Sequence, residues 1–197
     1  MTKVVPQSAW FFFREFLRHP KLVGSIIPTS SYAIRATLKP VNWASCRTIV
    51  EYGPGTGAFT RHILRLARPD CRIVLVEPNP DFVEFLTVSL PDPRLTVIEG
   101  SAADIGQILS DLGIDGADYV LSGLPFSMID AGVANRIVEE TGKALSPGGQ
   151  FLVYQYSLFA LPMLKRVFAD VRHRRAWLCI PPARLMFARG PRSGPGN

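Results

Sequence analysis

The densest chemical signal in the sequence is a run of glycines behind an acid, Glu51-Tyr52-Gly53-Pro54-Gly55-Thr56-Gly57. It leaves an apolar stretch that reads as a strand and opens a stretch with helical spacing. Glycines at such a junction allow a tight turn and let the backbone come close to a ligand. The carboxyl end of a strand is also where an open α/β sheet holds its ligand. A second acid, Glu77, closes the next strand-like run, 20 residues after Gly57. There it is placed to accept hydrogen bonds from two ribose hydroxyls. Gly53, Gly55 and Ala58 also satisfy the dinucleotide pattern G-x-G-x-x-G/A. Against a nicotinamide cofactor stand the alternate glycines at 53, 55 and 57, the acid two residues before the first of them, and a strand hairpin that ends the pattern.

The elements that position these residues alternate. Strands are expected at Thr48–Tyr52, Arg72–Glu77, Leu95–Glu99, Ala117–Ser122 and Gln150–Tyr156. Helices are expected at Ala58–Ala67, Asp81–Leu90, Ile105–Leu112, Ala131–Leu145 and Ser157–Phe168, the last bent at Pro162. Strands separated by helices make βαβ units and a parallel sheet. Two further strands, Val171–Ile180 and Arg184–Arg189, are joined only by a Pro181-Pro182 turn, so they must run antiparallel. Asp104 reads equally as a helix N-cap and as a ligand contact. Cys46, Cys71 and Cys179 form no CxxC or Cys/His cluster, so neither a metal site nor a disulfide framework is indicated, and each reads as a core residue.

Glu-x-Gly-x-Gly-x-Gly resembles the first motif of the Class I methyltransferases that use S-adenosylmethionine. The resemblance implies an α/β Rossmann-like fold: a mostly parallel seven-stranded sheet with a C-terminal antiparallel hairpin and helices on both faces. It implies S-adenosylmethionine as cofactor, with Glu51, Gly53, Pro54, Gly55 and Gly57 around its methionine and ribose, Glu77 on the ribose, Pro78 and Asn79 near the adenine, and Ser101, Ala102 and Ala103 along the adenine ring. Ser122 would stand where the methyl group is presented. Metals are unnecessary, because the methyl donor is already activated.

Ser122-Gly123-Leu124-Pro125-Phe126, after the fourth strand, is similar to the acceptor motif of two groups. Ribosomal RNA adenine-N6 methyltransferases carry Asn-Leu-Pro-Tyr or Asn-Leu-Pro-Phe there, and this chain lacks the Asn. Ser-Gly-Leu-Pro is the form of bacterial phospholipid N-methyltransferases, which methylate phosphatidylethanolamine. Gly24–Ser31 and Ile180-Pro181-Pro182-Ala183 resemble that family too, as they do the related ornithine-lipid methyltransferases. By this resemblance the chain moves methyl groups to phosphatidylethanolamine and its monomethyl and dimethyl forms, toward phosphatidylcholine. Ser122 and the carbonyls of Gly123 and Leu124 would orient the amine. Tyr32, Tyr154 and Tyr156 would hold methylated ammonium against their ring faces, although each also reads as a core residue. Tyr154 and Tyr156 share one strand face and Gln155 takes the other. His19 either relays a proton or ends a helix before Pro20. The alternatives are an RNA adenine-N6 methyltransferase and a non-catalytic membrane module that binds the same cofactor.

Of the 197 residues, 47% are hydrophobic and 19% charged, which excludes a disordered chain. No apolar run approaches the roughly 20 residues that span a bilayer. The net charge of +6 is unevenly spread. Residues 1–40 hold six Lys/Arg and one acid, residues 41–164 eight and fourteen, and residues 165–197 eight and one. Basic flanks around an acidic middle suit an anionic membrane surface or a nucleic acid; the family resemblance makes nucleic acid dispensable. Ser8–His19, with Trp10, Phe11, Phe12, Phe13, Phe16 and Leu17 beside Arg14 and Arg18, has the composition of an interfacial amphipathic helix. The expected organisation is a docking segment at 1–40, a catalytic domain at 41–190 and a flexible tail at 191–197. With no signal-peptide pattern, the chain is expected in the cytoplasm, peripherally bound to the membrane.

Overall fold

The computed structural model describes residues 30–178 and 182–192. The elements are α1 (Ser31–Leu38), β1 (Thr48–Tyr52), α2 (Thr60–Leu66), β2 (Arg72–Glu77), α3 (Pro80–Ser89) and β3 (Leu95–Glu99), then α4 (Ile105–Asp111), β4 (Ala117–Ser122), α5 (Ala131–Ala144), β5 (Leu145–Gln155), α6 (Ala160–Val167), β6 (Phe168–Ala176) and β7 (Ala183–Pro191). The strands form one sheet in the order β3-β2-β1-β4-β5-β7-β6. The first five are parallel; β7 runs antiparallel to both β5 and β6. This is the Class I methyltransferase sheet expected from the sequence.

β1 is buried along its whole length, and β2 from its second residue onward. Both faces of the sheet are therefore covered, as parallel strands require. Ile49, Ile73, Leu75, Leu121 and Leu152 pack under α1, α2 and α3; Val50, Val74, Val76, Val120, Phe151 and Val153 pack under α4, α5 and α6. The alternation is the period-two rule of strands. Tyr52 falls on the second face, where its hydroxyl lies 3.1 Å from Thr141 Oγ1 of α5.

Several expectations are corrected. β5 starts at Leu145, because Pro147-Gly148-Gly149 forms a register shift inside the strand, not a break before it. α6 starts at Ala160, which puts Pro162 in the first turn, where proline interrupts no helical hydrogen bond; no bend is needed. β6 begins three residues earlier than expected and ends at Ala176. Asp104 caps nothing with its side chain and pairs instead with Arg136 of α5 at 2.7 Å. Cys46 and Cys71, 25 residues apart, are buried with their sulfurs 3.9 Å from each other, because the β1–β2 register sets the starts of the two strands side by side. Their shared hydrogen bond and their burial raise the Cys46 thiol far above its ordinary value. The interfacial helix expected at Ser8–His19, His19, most of the Gly24–Ser31 segment, Cys179 and the flexible tail beyond Arg192 lie outside the described residues.

Candidate active site

β1 is flanked by β2 on one side and β4 on the other, so the connections leaving β1 and β4 diverge at their carboxyl ends. Open α/β sheets bind ligands in such a crevice. A cavity of about 340 Å³ occupies it, lined by Gly53, Gly55, Glu77, Phe82, Gly123, Leu124, Pro125, Ser127, Met128, Tyr154, Gln155, Tyr156 and Ser157. The lining draws on the ends of β1, β2, β4 and β5, which the sheet order makes neighbours.

The glycine turn forms the cofactor side. Gly53 has φ of 62°, and a Cβ there would meet Leu124 Cδ2 at 2.8 Å. Gly55 has φ of 54°, and a Cβ there would meet no atom within 4 Å. The first glycine therefore lets the turn pack on the acceptor loop, and the second keeps space open above the turn. Glu77 faces that space. Its Oε2 accepts from the Gly55 N–H at 3.3 Å and its Oε1 from the Asn79 N–H at 3.0 Å. A carboxylate offers about four acceptor sites, so capacity remains for a ribose diol. Burial raises the Glu77 carboxyl above its usual range, and the Asn79 and Gly55 amides pull it back. An open cradle beside an acid with spare acceptor capacity fits S-adenosylmethionine, which when bound supplies an electrophilic methyl group on sulfur.

Glu51 has a different role from the one expected. It is buried, and its Oε2 accepts the Thr60 hydroxyl hydrogen at 2.7 Å, tying the end of β1 to the first residue of α2 beneath the glycine turn. Burial pushes its carboxyl up to about 8; the Thr60 hydrogen bond opposes this and nearby Glu77 adds to it. Glu51 shapes the turn from below and lies outside the cavity lining. So do Pro54 and Gly57, which close the turn by a Gly57 N–H to Pro54 carbonyl bond of 2.9 Å. Pro78, Ser101, Ala102 and Ala103 also lie off the lining. Ser101 Oγ accepts from the Ala103 N–H and starts a short 3-10 turn.

On the acceptor side the sequence named three hydrogen-bond acceptors, and the geometry separates them. Ser122 is fully buried, and its Oγ accepts from the Leu124 N–H at 3.2 Å, so it builds the turn and does not reach the cavity. The Leu124 carbonyl takes the Phe126 N–H at 3.0 Å and Gln155 Nε2 at 2.9 Å. A carbonyl has two lone pairs, so it is fully engaged and is not the amine's acceptor. Gly123 remains on the lining.

Gln155 is 5% exposed, lines the cavity, and was missed as a site residue. Its Oε1 is the one buried side-chain nitrogen or oxygen without a partner among the described residues. Leaving such an atom unpaired costs about 1–3 kcal/mol. An amide oxygen would repel the Leu124 carbonyl oxygen at 2.9 Å, which fixes the amide with Nε2 toward it and Oε1 as the unpaired atom. The signal available in the sequence was a lone amide ending the apolar run Phe151-Leu152-Val153-Tyr154.

The tyrosines divide. Tyr154 lies on β5 and Tyr156 one residue past its end, which is Gln155 and not Tyr156 as expected; their hydroxyls are 3.1 Å apart and their rings edge to face at 5.8 Å. All three residues 154–156 reach the cavity because it caps the strand end. Tyr32 does not reach it. On the outer side of α1 it lines a separate hollow of about 320 Å³ with Arg35, Lys39, Arg174 and Arg175. The inner side of that helix carries Ala33, Ile34, Thr37 and Leu38 into the core, which turns Tyr32 outward.

The surface around the cavity is apolar, then basic. Tyr156, Leu158, Phe159 and Met128 are exposed large side chains on or next to its lining. Gln155 pairs with Arg184 and Arg184 with Arg175, so the β6–β7 turn lies at the cavity end of the sheet. That turn begins with Trp177 and Leu178, 66% and 70% exposed, and Arg175 stacks on the Trp177 ring at 4.5 Å. Among the described residues, Arg35, Lys39, Arg174 and Arg175 have no carboxylate partner. Lower on the same strands, Arg172 and Arg189 both pair with Asp170.

No family model matches the chain. It is 31% identical over 187 residues to the ornithine lipid N-methyltransferase of Singulisphaera acidiphila, covering 92% of this chain and 95% of that protein. A thiol S-methyltransferase of Rattus norvegicus is 28% identical over 109 residues, covering 55% of this chain and 42% of that one. Among solved structures, a 1,6-didemethyltoxoflavin-N1-methyltransferase from Burkholderia thailandensis with bound S-adenosylhomocysteine superposes with a TM-score of 0.68 at 14% identity, covering 98% of this chain and 93% of that one. At that identity the likeness is one of fold.

Proposed function

The chain belongs to the family of S-adenosylmethionine-dependent methyltransferases that includes the ornithine lipid N-methyltransferase of Singulisphaera acidiphila, and from that premise we propose that it methylates the amine of a membrane lipid. The substrate in this reading is phosphatidylethanolamine with its monomethyl and dimethyl forms, reached by peripheral docking on the cytoplasmic face of the membrane. One observation carries the reading. One cavity joins the glycine turn and Glu77 to Gly123, Gln155 and Tyr156, and it opens among exposed apolar side chains at the end of the sheet where cations without a carboxylate partner among the described residues gather. A water-soluble acceptor needs no such rim, whereas a lipid brings acyl chains and an anionic neighbourhood with its amine. Among the described residues no helix is long and apolar enough to cross a membrane, which agrees with docking by surface contact.

The chemistry asked of the protein is modest. It must align nitrogen, methyl carbon and sulfur, and it must hold the amine in its unprotonated form. Among the described residues no group of acids, histidines or cysteines forms a metal site. A second reading, ornithine lipid as acceptor, is favoured by the relative that spans the chain. The test is methyl transfer from labelled S-adenosylmethionine to anionic vesicles that contain phosphatidylethanolamine, ornithine lipid or neither, with ribosomal RNA as a parallel acceptor. Label in phosphatidylethanolamine is the expected result. Label in ornithine lipid alone selects the second reading, and label in RNA alone overturns both.

A further inference from the structure

We propose that Gln155 Oε1 accepts a hydrogen bond from the lipid amine and so directs the nitrogen lone pair at the methyl carbon; the inference rests on the lipid-amine reading above. Three observations converge on it. Gln155 lines the cavity that holds the glycine turn and the acceptor loop. Its Oε1 is buried without a donor, while its Nε2 is committed to the Leu124 carbonyl at 2.9 Å. Of the three acceptors that the loop itself seemed to offer, Ser122 Oγ and the Leu124 carbonyl are already occupied by the Leu124 and Phe126 amides and by Gln155, which leaves the Gly123 carbonyl as the one backbone acceptor beside Gln155. The loop carries Ser122-Gly123 and no side-chain amide. The amide at the site comes instead from the neighbouring strand, one residue past the Tyr154 whose opposite number in β7 is Leu185. An amine entering the cavity supplies the donor that Oε1 lacks.

The balance of the step defines what Gln155 does. The nitrogen lone pair forms the new N–C bond as the C–S bond breaks, and that bond's electrons stay on sulfur, leaving the thioether. After the first and second transfers the product ammonium then loses a proton to water; the trimethylammonium left by the third has none to lose. Gln155 takes no proton. It holds an N–H of the neutral amine, which leaves the lone pair facing the methyl carbon. A primary or a monomethyl amine has an N–H to offer, whereas a neutral dimethyl amine has none. Gln155 therefore acts on the first two methyl transfers and is idle in the third.

That asymmetry supplies the experiment. Full-length wild type, Gln155→Met and Gln155→Leu are assayed on phosphatidylglycerol vesicles that contain phosphatidylethanolamine, its monomethyl form or its dimethyl form. Binding of S-adenosylhomocysteine by calorimetry and the thermal midpoint are measured beside the rates. The expected result is a kcat/KM loss of about tenfold or more for the primary and monomethyl lipids, less than threefold for the dimethyl lipid, with S-adenosylhomocysteine affinity close to wild type in at least one variant. Equal losses on all three lipids, or no loss on any, overturn the role of Gln155 while the functional reading stands. A wild type that methylates none of the three, nor ornithine lipid run as a fourth acceptor, overturns the functional reading and the inference together.

Discussion

Glu51 and Glu77 look alike in the sequence, each an acid at a strand end, yet their surroundings divide the work. Glu77 lines the cavity with both oxygens held by backbone amides, and Glu51 lies beneath the turn with the Thr60 hydroxyl as its hydrogen-bond partner among the described residues. The Glu51 carboxyl, pushed up to about 8 by burial, gives a signed prediction. A carboxyl whose folded value stands above its unfolded value of about 4.3 stabilises the fold fully below the unfolded value. That contribution is lost as pH rises through about 8. Glu51→Gln keeps an oxygen for Thr60 and removes the titration. Its stability relative to wild type should rise between pH 5 and 8 and level off above, read from urea midpoints; a difference that does not change with pH would refute the assignment. At this scale the sequence was legible for Gly53, Gly55 and Glu77, because their types and spacing state their job. It was silent on Gln155 and misleading on Tyr32, since burial, direction and partners are set by distant segments.

The glycine turn between β1 and α2 works as a unit, and its two faces, one packed and one open, separate fold from binding. A Cβ at Gly53 would strike Leu124, whereas a Cβ at Gly55 would enter open space. Gly55→Ala should therefore destabilise by only about 1–2 kcal/mol, the cost of a left-handed backbone at a non-glycine residue. It should weaken S-adenosylhomocysteine binding at least tenfold by filling the cradle, as calorimetry beside thermal melting would reveal. Unchanged affinity would mean that the cradle is not where the cofactor lies. The order and type of the elements could be read in the sequence, because period-two and helical spacing alternate cleanly from Thr48 to Gln155. The boundaries around Pro147-Gly148-Gly149 and Pro162 could not. Proline and glycine read as breaks in a single chain, yet a neighbouring strand absorbs the first group as a register shift and a helix start accepts the second.

At the scale of the molecule, the β6–β7 turn brings cations and exposed apolar side chains together. Arg68, Arg94, Arg136, Lys143 and Arg166 pair with carboxylates away from the β6–β7 turn, while Arg174 and Arg175 stand beside exposed Trp177 and Leu178 with no such partner among the described residues. A basic residue close to an anionic bilayer contributes about 1 kcal/mol, so Arg174→Glu with Arg175→Glu should lower binding to phosphatidylglycerol vesicles at least tenfold in sedimentation assays, and added salt should abolish the difference. Binding unaffected by the pair would move the docking surface elsewhere. The charge asymmetry of residues 165–197 was visible in the sequence, but the side of the sheet it occupies depends on β7 lying between β5 and β6. That placement also governs how the molecule is assembled. β6 precedes β7 in the chain and cannot join the sheet without it, so until β7 docks the five parallel strands present a bare β5 edge with its row of free backbone donors and acceptors. Such an edge is a template for pairing with other chains. Docking of β7 is therefore the assembly step that closes this edge.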